Sequence, residues 1–234
     1  MSVLTSLGIL VLTMLILAFL QLVPSVFSLF LHFTSGQYSK LKASDLAVFF
    51  ILGTETFTVL ILLFIYFLLS NSPQLFWVLD NPIFSWLIAG ILAALGILIF
   101  ILYFRRRSRT ELFISRQLAR SFQTRAKTIK TRSDAFAFGF TSALPELIFT
   151  FPLYLVSAIT IMQLGPDAFT RAGLIILLAI FAILPLLINF FLTSTGHTLA
   201  DSLRFRTRNH YFFRTCLALF YLLTATIIIL GVTL

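Results

Sequence analysis

The 234-residue sequence predicts an all-α integral membrane protein, with six transmembrane helices forming an inverted 3+3 repeat and proline breaks in helices 1 and 4. Three observations lead there. Apolar residues make up 59% of the chain and charged residues 11%, with a mean hydropathy of +1.04, whereas a soluble domain is roughly a quarter charged. Apolar runs long enough to cross ~30 Å of hydrocarbon recur along the whole length. The basic residues sit between those runs, on alternate loops.

The runs lie at 3–33, 46–69, 82–104, 135–163, 170–193 and 211–233. In lipid the backbone must satisfy its own hydrogen bonds, so segments of this length are expected as helices. They divide the chain into a first three-helix repeat (1–104), a basic amphipathic linker (105–134) and a second three-helix repeat (135–234). The first run lacks the basic leader of a signal peptide and is too long for one, so it is expected as a retained helix. In the third, Ala89, Gly90, Ala93, Ala94 and Gly96 offer a small-residue surface for close helix packing.

Charge sets the expected orientation. Loops on one side carry sixteen of the seventeen lysines and arginines, ten of them between Arg105 and Arg132, and the other side has only Arg171. The positive-inside rule then puts the basic loops in the cytoplasm and both termini outside, with a bacterial inner membrane as the expected location. Between Arg109 and Lys130 there is no Gly or Pro, and Leu112, Leu118, Ala119, Phe122, Ala126 and Ile129 recur mostly at helical steps. A basic helix lying against anionic headgroups is the expectation there, which makes membrane lipids the partner of 105–132. The net charge of +9 is thereby a matter of topology, and no nucleic-acid partner is expected.

A weak internal echo accompanies this layout. Val23-Pro24-Ser25-Val26-Phe27 aligns with Leu144-Pro145-Glu146-Leu147-Ile148 without gaps. An odd number of spans per half inverts the second half. Pro24 in the first run, and Pro145 and Pro152 in the fourth, each remove a backbone donor and are expected to kink or break the helix near mid-membrane.

Two acidic residues lie far from any loop. Glu55, in Gly53-Thr54-Glu55-Thr56, and Glu146, in Thr141-Ser142-Ala143-Leu144-Pro145-Glu146, are each about ten residues into their runs, or ~15 Å of helix. A charged carboxylate at that depth costs several kcal/mol unless partnered, and no intramembrane Lys or Arg is available to pair with it. Intramembrane acids of this kind typically serve as proton or ion sites. With Thr54, Thr56, Thr141, Ser142 and Ser25 they supply hard oxygen ligands, suited to protons, Na⁺, Mg²⁺, Ca²⁺ or Mn²⁺, so any transported metal would use Glu55 and Glu146.

Other chemistry is poorly supplied. The single cysteine, Cys216, excludes a disulfide or Cys-X-X-Cys pair, and three histidines with one cysteine do not make a structural zinc site. Phosphate-binding loops and hydrolase or zinc-protease motifs are absent, so neither an enzyme nor a bound cofactor is expected.

Phe136-Ala137-Phe138-Gly139 followed by Leu144-Pro145-Glu146 resembles the lysine-exporter-like superfamily, whose members have six spans, a Pro-containing first helix, a basic central loop and a Phe-x-x-Gly…Pro fourth helix. The resemblance covers nearly the whole chain as layout and implies a small exporter. Amino-acid exporters of that group carry Asn-Pro-Lys where this chain has Leu144-Pro145-Glu146, and its thiol carriers need paired cysteines, so the resemblance implies an ion or metal branch. The combined expectation is a secondary transporter, with a cation or small cationic solute coupled to protons at the glutamates; a homo-oligomer is compatible with it. The alternatives are a membrane scaffold or a lipid-handling protein acting through the basic loop.

Overall fold

The computed structural model describes residues 3–21, 40–72, 74, 81–102, 125, 128–144, 147–165, 167–194 and 208–233. Within them the chain forms seven helices: α1 (Val3–Gln21), α2 (Lys40–Asn71), α3 (Pro82–Leu102), α4 (Arg132–Ser142), α5 (Leu147–Leu164), α6 (Ala168–Ser194) and α7 (His210–Thr233). Six of these, all but α4, are long and apolar enough to cross a membrane. Their outer faces carry large apolar side chains such as Leu4, Phe64, Phe67, Ile83, Phe169 and Phe191, while Thr13, Thr54, Thr58, Ser157 and Thr224 are buried inside. Apolar outside with hydroxyls inside is the pattern a lipid solvent selects, because only interior polar groups find partners there.

The fourth run, 135–163, forms two helices. α4 ends at Ser142 and α5 begins at Leu147. Thr141 and Ser142 turn their hydroxyls back onto α4 carbonyls, and Leu144, the residue before a proline, is sterically disfavoured from continuing a helix. α5 continues without a break through Pro152, as α6 does through Pro185. The Tyr221 hydroxyl on α7 donates to the Phe149 carbonyl, 3.0 Å away and three residues before Pro152, in the turn a proline loosens. Such outside donors let transmembrane helices keep proline without breaking. Pro24, Ser25, Pro145, Glu146 and most of the 105–132 linker lie outside the described residues.

Packing is antiparallel between α1 and α5, with Ser6 opposite Gln163 and Thr13 opposite Ser157. α3 lies along α7, where Gly96 allows the approach: a Cβ there would stand 3.1 Å from the Ala218 carbonyl oxygen. Gly90 faces open space, so the small-residue surface is narrower than composition suggests. The Arg214 guanidinium lies 4.8 Å from the Phe100 ring and 5.2 Å from that of Tyr211, holding the start of α7 to the end of α3. One apolar core joins α1, α2, α3, α5, α6 and α7, and a smaller one, from Leu46, Phe50, Ile51, Ile129, Phe138 and Leu186, ties α4 to α2 and α6.

Candidate functional site

The site grows from the crossing of α2 and α4. A Cβ on Gly53 would fall 2.1 Å from the Phe136 carbonyl oxygen, and one on Gly139 would fall 2.0 Å from that of Phe50. Two glycines therefore let the backbones touch, as small residues do wherever transmembrane helices come closest. Thr54 Oγ1 donates across this contact to the Gly139 carbonyl at 3.3 Å, as well as to its own Phe50 carbonyl at 3.1 Å. Ser142 Oγ donates to the same Gly139 carbonyl at 2.7 Å.

At the basic end the same two helices are joined by Arg132 Nε and Asp45 Oδ2 at 2.7 Å, with the guanidinium 5.4 Å from the Phe49 ring. A capping box closes the start of α4. The Asp134 N–H donates to Thr131 Oγ1, and the Thr131 N–H donates to the Asp134 carboxylate. Hydrogen bonding from Thr131 holds the Asp134 carboxyl below the ordinary carboxylate range.

The register of this pair fixes depth. Asp45 meets Arg132 and Thr54 meets Gly139, offsets of 87 and 85 residues, so the helices run parallel. By the nearer contact, Ser142, where α4 stops, is level with Phe57 and two residues, or about 3 Å of rise, from the level of Glu55. Glu55 itself lies eleven residues beyond Ser44, where the apolar span of α2 begins, or about 16 Å of rise. A helix terminus in mid-span and an intramembrane acid thus occur at nearly the same depth.

Glu55 belongs to the inward stripe of α2 formed by Ile51, Thr58, Leu62, Ile65 and Leu69, all buried. Its Oε2 is buried and has no hydrogen-bond partner among the described residues. One turn further, Thr58 Oγ1 donates to the Thr54 carbonyl and lies 3.4 Å from the Tyr154 hydroxyl of α5, which donates to it.

Of the residues expected at the site, the structure brings Thr54 and Ser142 together on one carbonyl, with Glu55 next in sequence to the first. Thr56 and Thr141 stand apart. Thr56 bonds its own Leu52 carbonyl, and Thr141 bonds Ala137 and Phe138 and lines a separate cavity of about 340 Å³ with Arg125, Thr128 and Asp134. Glu146 and Ser25 lie outside the described residues. Among those described, no three His, Cys, Asp or Glu side chains converge as metal ligands.

No family model, curated protein or solved structure matches this chain. The site therefore has to be read from its own chemistry. Sequence reasoning missed Gly53, Thr58, Tyr154, Ser157 and Thr13. A signal was present for the α5 members: Tyr154, Ser157, Thr160 and Gln163 recur every third residue in a mostly apolar helix.

A second cavity, of about 230 Å³, opens at the end opposite the Arg132–Asp45 pair. It is lined by Ile9, Ser85, Thr160, Gln163 and the end of α7.

Proposed function

We propose that this protein is a small secondary transporter, expected to export a cation or small cationic solute in exchange for protons bound at Glu55 and Glu146. The observation that carries the reading is the buried Glu55 Oε2, turned into the bundle near mid-span with no partner among the described residues. A carboxylate oxygen in that position is costly unless a proton or cation occupies it. A stable scaffold would gain by replacing it with an apolar residue, and a transporter needs it.

An inverted repeat suits this role, since rocking of one half against the other exposes a central site alternately to each side. In its support, α2 packs on α6 and α3 on α7, the second and third spans of the first half against the second and third of the other. A proline-interrupted fourth helix is supported by the interval between Ser142 and Leu147, where sequence places Pro145 and Glu146. Basic Arg132 and Arg214 at one end, with Arg171 at the other, fit basic loops in the cytoplasm and both termini outside.

Purified protein in liposomes containing a pH-sensitive dye tests this. Na⁺, Mg²⁺, Ca²⁺, Mn²⁺ and basic amino acids are presented in turn. At least one should drive proton flux in the native protein, and Glu55→Gln and Glu146→Gln should each abolish it while eluting as folded protein. Native flux that survives both substitutions, or silence across the panel, overturns the reading.

A further inference from the structure

Glu55 Oε2 is buried near mid-span, and a coupled site needs a wet route to each side. On the side opposite the Arg132–Asp45 pair the described residues contain such a row. Gln163 and Thr160 line the 230 Å³ cavity, whose volume holds several waters at ~30 Å³ each. Ser157 is one step of three residues below Thr160, about 4.5 Å deeper along α5. Its hydroxyl donates to Thr13 Oγ1 at 3.1 Å, and Thr13 is itself one turn below Ile9, which also lines the cavity. A further step of three reaches Tyr154, whose hydroxyl donates to Thr58 at 3.4 Å. Thr58 follows Glu55 by three residues on the same stripe of α2, and such neighbours share one helix face.

We infer that the row Gln163–Thr160–Ser157/Thr13–Tyr154/Thr58 is the access path for water and protons between the 230 Å³ cavity and Glu55. It deepens the transport reading and rests on it. Four polar residues at a strict spacing of three run along α5, and three of them, Thr160, Ser157 and Tyr154, are buried at 3% exposure or less. Hydroxyls that only fasten helices together have no need to link a cavity to an acid. Here each rung is one helical step from the next, and α1, α2 and α5 each contribute. A hydroxyl both accepts and donates, so each hydroxyl of the row can take one proton and release another, keeping its protonation state, with its O–H then turning back for the next.

Ser157→Cys and Ile161→Cys, each in full-length protein carrying Cys216→Ser and reconstituted in liposomes, separate a wet path from a dry core. The probe is a small cationic methanethiosulfonate. Ile161 is fully buried and lies about 6 Å nearer the cavity end than Ser157, so depth alone would favour it. The expected result is modification of Ser157→Cys at least tenfold faster than Ile161→Cys. Equal or slower modification overturns the path, whatever the flux assay gives. The same liposomes report flux: Ser157→Ala should lower solute-driven proton flux at least tenfold while still eluting as folded protein. Native-like flux in Ser157→Ala, alongside loss in Glu55→Gln, refutes the path and leaves the transport reading standing. Fast modification with no flux in the native protein refutes transport and leaves a wet path.

Discussion

Gly139→Ala is the sharpest perturbation of the α2–α4 crossing. The new Cβ would be 2.0 Å from the Phe50 carbonyl oxygen and 3.1 Å from its Cα. Carbon approaches a carbonyl oxygen no closer than roughly 3.3 Å, so the helices must part by about 1.3 Å. That displacement stretches the 3.3 Å bond from Thr54 to the Gly139 carbonyl beyond reach. Overpacking of this kind costs about 1–3 kcal/mol, and a lost interhelical hydrogen bond in a membrane protein about 0.6 kcal/mol. A loss of about 2 kcal/mol is expected, measured by titrating mixed micelles with SDS. Thr54→Val, which removes the bond without forcing the helices apart, should cost about 0.6 kcal/mol. The geometry makes a further demand. Gly53 and Gly139 clash with backbone on opposite sides of one interface, so a single separation relieves both. The double alanine variant should therefore cost less than the sum of the singles by about 1 kcal/mol, as expected for directly coupled sites. Strict additivity, or a Gly139→Ala variant within 0.5 kcal/mol of native (about a third of a tenfold change), would refute the backbone-contact reading.

Two other predictions concern neighbouring features. Tyr221→Phe removes the donor to the Phe149 carbonyl beside Pro152 and should cost about 0.6–1.7 kcal/mol in the same titration. Thr226→Val, whose hydroxyl bonds only its own helix on an exposed face, should lie within about 0.5 kcal/mol of native and serves as the comparison. At the start of α4, hydrogen bonding from Thr131 lowers the Asp134 pKa. The folded value is below the unfolded one of about 3.9, so the stabilisation is fully present above that pH and is lost as pH falls through the folded value. Amide exchange at Ala135, the next residue in the first turn of α4, should therefore stay protected at pH 5 and lose protection only below about pH 4, and Thr131→Val should remove the pH dependence.

The candidate site was only half legible in the sequence. Glu55 was visible because an acid eleven residues into an apolar span is conspicuous without any partner in view. Thr54 and Ser142, grouped with it from sequence, meet on the Gly139 carbonyl. Thr56 and Thr141 were grouped with them by proximity in sequence, but neighbouring helical residues point about 100° apart, and these two bond carbonyls other than that of Gly139. The glycines at the crossing looked like ordinary small residues, since close approach belongs to a pair of helices and is invisible in either alone.

The sequence by itself determined that the protein is a helical bundle with six membrane-length spans, where its apolar surface lies, and how deep Glu55 sits. Those are one-dimensional properties: a fixed rise per residue, a fixed hydrocarbon thickness and a backbone that must bond to itself in lipid. Only the tertiary structure decided that α4 stops at Ser142, about two residues of rise from the level of Glu55. It alone brought Thr54 and Ser142 onto one carbonyl and set the α5 hydroxyls against Thr13 and Thr58. These depend on the rotation and register of one helix against another, which the Gly53–Gly139 contact sets in three dimensions and no periodicity in the chain encodes.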